Sequence, residues 1–178
     1  MTAQISDTFM FKGEEYALVG ISGGDLTSPY DFGMTPEALH TACWRGFYST
    51  YEITDEGIFL KDMTMRERDG NYRPINNIMP KVTDGEAHYT DVHILVSFTG
   101  KLRLAKDFID ELHIHMGFQK PSAFRKVLDL SFEDGLLKNV KDRSVEMEQK
   151  RGAFKKEYES KGTIEGIDDA FSLDMDLE

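Results

Sequence analysis

Apolar and polar residues alternate in short runs along this chain, and turn-forming residues separate the runs. Phe9-Met10-Phe11 and residues 16–21 flank Lys12-Gly13-Glu14-Glu15, which predicts a first hairpin. Residues 39–53 read as one long strand. One face carries Leu39, Cys43, Phe47, Tyr51 and Ile53, and the other carries His40, Trp44, Tyr48 and Glu52. Such aromatic and β-branched content suits a half-buried pleated surface. Thr54-Asp55-Glu56-Gly57 turns the chain, and residues 58–66 return as the partner strand. Val92, Ile94, Val96 and Phe98 alternate with His93, Leu95 and Ser97, and Thr99-Gly100 predicts a tight reversal into residues 101–104. Residues 127–132 and 136–140 flank Asp134-Gly135, a strong hairpin signal.

Other stretches break the alternation. Pro36 after Thr35 predicts a short helical turn, because proline is tolerated at the first helical position. Residues 67–87 hold two prolines and two Asp-Gly pairs or near-pairs and read as an irregular excursion with at most one short strand. Residues 106–117 fit both periods. The reading favoured here is a turn or short helix through Asp107–Glu111, then a strand from Leu112. From about residue 143 to 160 the pattern is helical, with Asp142 or Ser144 as cap and Met147, Phe154 and Tyr158 near one face.

The fold expectation is α+β with β dominant. About eight to ten antiparallel strands form a curved sheet or partly closed barrel, with one C-terminal helix packed outside. Residues 1–162 make the domain, and residues 163–178 make an acidic tail.

Charge sharpens this division. The net charge is −11, and the tail carries six acids and no base. Negative charge disfavours general nucleic-acid binding and anionic membranes. A protein partner with a basic surface fits it better. No run of apolar residues is long enough to span a bilayer, and the first residues lack a secretory pattern. Cys43 is the single cysteine, so no intrachain disulfide forms, and a reducing cytoplasmic setting is expected.

Candidate chemistry is sparse. His113 and His115 share one side if they lie on a strand, and two imidazoles can hold a divalent transition metal given a third ligand such as His40, His88 or His93. His40 and Cys43 fall on opposite strand faces, which argues against a nucleophile pair. Cys43 reads as a small core residue. Trp44, Arg45 and Tyr48 are side chains of the kind that anchor binding surfaces. Arg45 needs a carboxylate or carbonyl partner if its face is apolar. In the tail, Phe171, Leu173 and Met175 share one side when extended, so the segment can add a strand to a sheet edge of its own domain or of a partner, the third alternative being a disordered tail. Phosphate-loop, dinucleotide, nucleophile-elbow and zinc-protease motifs are absent from the sequence.

Trp44-Arg45-Gly46-Phe47-Tyr48, Thr50-Tyr51-Glu52-Ile53 and Gly57-Ile58-Phe59-Leu60, followed by Phe98-Thr99-Gly100-Lys101-Leu102-Arg103 and Ile114-His115-Met116-Gly117-Phe118, form an ordered pattern. It resembles a loose group of bacterial proteins without an assigned activity, and it departs from that group at Tyr51, where tryptophan is usual. The resemblance spans roughly residues 40–137. It implies a bacterial, mostly β protein and favours a strand at 112–116, and it carries over no catalytic residue.

Three functional readings follow. The first is a non-enzymatic protein-interaction module of accessory or immunity type, with Trp44, Arg45, Tyr48, Phe171, Leu173 and Met175 as contact residues. The second is a small-molecule-binding β-barrel lined by Trp44, Phe47, Tyr48 and Tyr51. The third is a metal-dependent enzyme using His113 and His115. No catalytic residue is assigned, and no cofactor is expected beyond that metal.

Overall fold

The computed structural model describes residues 2–160 and 170–175, with backbone alone for 153–160. Its strands are β1 (Thr8–Phe11), β2 (Glu14–Gly23), β3 (Phe47–Thr54), β4 (Gly57–Met65), β5 (Lys81–Thr83), β6 (Glu86–Tyr89), β7 (Ile94–Val96), β8 (Gly100–Phe108), β9 (Phe124–Glu133) and β10 (Leu136–Asp142). Helix α1 (Ser144–Ser160) follows. The strands form one sheet in the order β10-β9-β8-β2-β1-β3-β4-β6-β5, with β7 also on β4. The protein is therefore mainly β with one C-terminal helix, as the alternation predicts. The sheet stays open instead of closing into a barrel. It is mixed, because β1 pairs antiparallel with β2 but parallel with β3. β2 carries the chain back to the end where β1 began, and residues 24–46 lead from there to β3, which enters beside β1 in the same direction.

Local turn chemistry explains the hairpins. Lys12-Gly13 and Asp134-Gly135 both have positive φ at the two turn positions, the geometry that matches strand twist. Asp84-Gly85 has it as well. The excursion at 67–87 thus ends in a real hairpin of β5 and β6, two short strands where at most one is expected. The reversal at Thr99-Gly100 makes no hairpin. β7 pairs with β4, and β8 lies between β2 and β9. Gly100 fits there because its backbone (φ +153°) approaches the Ser22 carbonyl so closely that a Cβ would lie 2.1 Å from that oxygen.

Three further expectations change. The first helical turn is the 3-10 helix Pro29–Phe32, with Pro29 in the first position, while Pro36 only bridges Glu67. Residues 39–46 are not strand but a closed turn, with Cys43 N–H bonded to His40 O and Leu39 N–H to Cys43 O. Residues 112–116 are not strand either. A 3-10 turn spans Asp110–Leu112, and the Gln119 amide then pairs with both backbone groups of Ile114, at 3.0 and 2.9 Å, in place of a neighbouring strand.

Packing uses both faces of the sheet. Leu18, Leu102, Leu104, Leu128 and Leu130 enter the main core beside Phe9, Tyr51, Met63 and Phe98. Their neighbours Val19, Ala105 and Val127 face the other way and meet Met147 of α1. Period-two alternation thus puts the helix on the side opposite the main core. Asp142 accepts the Ser144 N–H at the helix start, while the Ser144 hydroxyl accepts the N–H of Val127. The Phe154 and Tyr158 side chains lie outside the described residues.

The core is pinned by buried polar groups. Phe9 stacks on Tyr51 across the parallel pair, 4.8 Å between centroids, and the Tyr51 hydroxyl bonds Thr27. Tyr89 donates to the Arg73 carbonyl at 2.6 Å, tying the excursion to the sheet, and burial pushes its phenol up to about 12. Buried Glu67 accepts the N–H groups of Asp69 and Asn71. Burial alone raises its pKa, but the backbone donors outweigh this and its carboxyl lies below the usual range.

Candidate functional site

The tail returns to the sheet. β1 is short and covers only the first part of β2, Glu14 to Ala17. Beyond it the same edge of β2 has free backbone groups. Residues 173–175 fill this place: Ile21 N–H donates to Leu173 O at 2.8 Å, and Met175 N–H donates to Ile21 O at 3.1 Å. The pairing is parallel. Leu173 packs on the main core, and Met175 lies over Gly20. Two glycines shape the seat. A Cβ on Gly20 would meet Met175 Cγ at 2.5 Å, and one on Gly117 would meet the Ala170 carbonyl at 2.0 Å. The three side chains do not share one side as the alternation predicts: Leu173 turns to the main core, Met175 lies over Gly20 beside Arg103 on the helix-side face, and Phe171 precedes the paired stretch. Asp168, Asp169 and residues 176–178 lie outside the described residues.

Four distant stretches meet where the tail arrives. Gln4 N–H bonds Gly117 O, Phe118 N–H bonds Ala170 O, and Ile5 N–H bonds Ala42 O. The Gln4 side chain accepts the Trp44 N–H and donates to Thr41 O. Gly46 (φ +82°) lets the 39–46 turn close against Glu37, whose carbonyl would lie 2.5 Å from a Cβ. The turn holds Trp44 outward. The residue is 51% exposed, and its indole stacks on Phe171, with centroids 5.4 Å apart and planes 21° apart.

The other predicted contact residues take different positions. Arg45 turns its guanidinium inward. It donates to Asp7 and to the Phe47 carbonyl and covers the Phe47 ring at 4.4 Å. Asp7 is buried and also accepts the Ser49 N–H at 2.7 Å. Arg45 thus finds both the carboxylate and the carbonyl that its setting demands. Tyr48 is half-buried in β3 opposite Thr64. The aromatics expected to line one cavity separate: Tyr51 is core, Trp44 faces solvent, and Phe47 lies under Arg45.

His113 and His115 are exposed, with rings 4.8 Å apart and His113 edge-on to Phe108. Among the described residues no group of three or more His, Cys, Asp or Glu is placed to hold a metal ion. The proposed third ligands are engaged elsewhere. His40 accepts the Ala42 N–H, His88 bonds Thr64, and His93 stacks on Phe59. His40 and Cys43 are bridge partners in the closed turn, not residues on opposite faces of a strand. The Cys43 thiol points to the Phe47 carbonyl, and burial pushes its pKa up, so it stays protonated.

No known family, curated protein or solved structure matches the chain. Among the described residues no helix is long and apolar enough to cross a membrane.

Proposed function

We propose that this protein is a non-enzymatic interaction module that binds a protein partner through a surface centred on Trp44 and Phe171. The observation that carries this reading is the exposed, stacked pair itself. A large ring held open to solvent loses little conformational freedom when a partner covers it, so its burial contributes directly to affinity. Backbone hydrogen bonds from four chain stretches pre-organise the pair. The net charge of −11 favours a partner with a basic surface, as an accessory or immunity-type protein requires.

The test is affinity capture from the native source with wild-type and Trp44→Ala protein, then reconstitution with the purified partner. The expected result is one partner bound stoichiometrically, more weakly at high salt, and at least about tenfold more weakly by the variant. Equal binding by wild type and variant would overturn the reading, as would an interaction insensitive to salt.

A further inference from the structure

A second site lies on the helix side of the sheet, away from the aromatic pair. Arg103 of β8 sits across from Gly20 on one side and Asp129 on the other. Its Nε and Nη2 donate to the two oxygens of Asp129 at 2.7 and 2.8 Å. Arg143, just before α1, donates from Nε to the same carboxylate at 3.0 Å and from Nη1 to Glu146 at 2.5 Å. Lys150 holds the other oxygen of Glu146 at 3.2 Å. Three cations therefore share two carboxylates. Among the described residues, Arg103 Nη1 and Arg143 Nη2 have no protein acceptor.

These groups line a cleft of about 650 Å³, walled by the sheet, the first turns of α1, the loop at 118–121 and the returning tail. The walls are braced. Arg151 of α1 donates to the carbonyls of Ser122 and Phe124 at 2.9 and 2.6 Å. Asp129 is buried, and although burial alone raises its pKa, the two guanidiniums outweigh this and keep it ionised. A fixed carboxylate orienting two planar forks leaves their outer N–H groups pre-organised for an oxyanion.

We infer that this cleft binds a small phosphorylated molecule, with its phosphate on Arg103 and Arg143 and its organic body in the remaining volume. The volume exceeds what a bare phosphate fills and falls in the range of small-molecule pockets. Lys150 adds long-range attraction. Asp174 of the tail, also in the cleft wall, opposes it.

Titration of the full chain with pyrophosphate, inorganic phosphate and citrate, at ionic strength held constant with chloride, tests this by calorimetry. The expected result is saturable one-to-one binding, tightest for pyrophosphate. Arg143→Gln should weaken it at least about tenfold. That variant leaves Asp129 with one partner fewer, so two changes at exposed positions accompany it. Lys150→Gln should weaken binding about two- to fivefold, and Asp174→Asn should tighten it by a similar factor. A cluster that only pins the helix would show neither change. The inference is overturned by no saturable binding up to about 10 mM, or by affinities that both exposed variants leave unchanged. Citrate binding more tightly than pyrophosphate would overturn the assignment to phosphate.

Discussion

Met175 lies directly over Gly20, with its Cγ 2.5 Å from where a Cβ would stand. A glycine inside a ten-residue strand weakens that strand, and here it makes room for a side chain from the far end of the chain. Strand and tail are thereby fitted to each other, and the fit can be broken from either side.

Gly20→Val should push Met175 off the sheet and free the tail. Faster proteolytic cleavage near residues 170–175 and a midpoint several degrees lower are the expected outcomes. Gly20→Ala should act weakly, since the Met175 side chain can swing aside. Adding Met175→Ala to Gly20→Val should restore part of the protection. If the tail is cleaved equally fast in wild type and Gly20→Val, the seat does not hold it.

Trp44 and Phe171 should couple measurably. A double-mutant cycle of Trp44→Ala and Phe171→Ala, read by urea unfolding, should give an interaction of about 0.5–1.5 kcal/mol. The single change Trp44→Ala should cost only about 1 kcal/mol of stability, because Trp44 is already half exposed. Its effect on partner binding is therefore separable from any effect on folding.

Asp7 should matter far more for folding than its single ion pair suggests. Asp7→Ala leaves Arg45 Nη2 and the Ser49 N–H without their shared acceptor, and Arg45 keeps only the Phe47 carbonyl. The Arg45 side chain is 31% exposed and can regain some water. A loss of about 2–4 kcal/mol is expected from chemical denaturation. A loss below about 1 kcal/mol would show that the pair is replaced by solvent.

Acid should weaken the junction between β10 and α1. Hydrogen bonds from Lys126, then from Ser144, hold the Asp142 carboxyl down at about 2, against an ordinary value of 3.8. A depressed folded-state pKa stabilises above the unfolded value and is lost as protons bind. This contribution is thus complete above about pH 4 and disappears as pH falls toward 2. Half of the side chain is exposed, so solvent screening limits the effect to under about 1 kcal/mol. Asp142→Asn should flatten the stability profile over that window by this small amount, measured by urea unfolding at each pH.

Hairpins were legible in the sequence wherever the turn chemistry was local. Lys12-Gly13 and Asp134-Gly135 announce themselves because two neighbouring residues must take positive φ, which Gly13, Asp134 and Gly135 tolerate well. Asp84-Gly85 carries the same signal, hidden by the prolines before it. The aromatic run at 39–53 misled because strand propensity does not register the turn at 39–46, which depends on the close approach of Gly46 to Glu37.

The site was legible as residue types and not as an arrangement. Trp44 and Phe171 stand out as binding residues, and nothing in their local sequence places one upon the other. The Arg103–Asp129–Arg143 cluster left no signal, because an arginine and an aspartate in charged strands look like solvated surface until the strands are aligned.

By itself, then, the sequence determined the hairpins β1–β2, β3–β4 and β9–β10, the mainly β class, the terminal helix and the capacity of the tail to pair with a strand edge. These follow from backbone preferences and period-two alternation between near neighbours. Only the tertiary structure decided that β3 joins β1 in parallel, that β7 leaves β8 for β4, and that the tail closes the edge of β2. Those pairings are set by which unpaired strand edges and apolar faces remain to be covered once the chain collapses, and residues far apart in sequence settle that together.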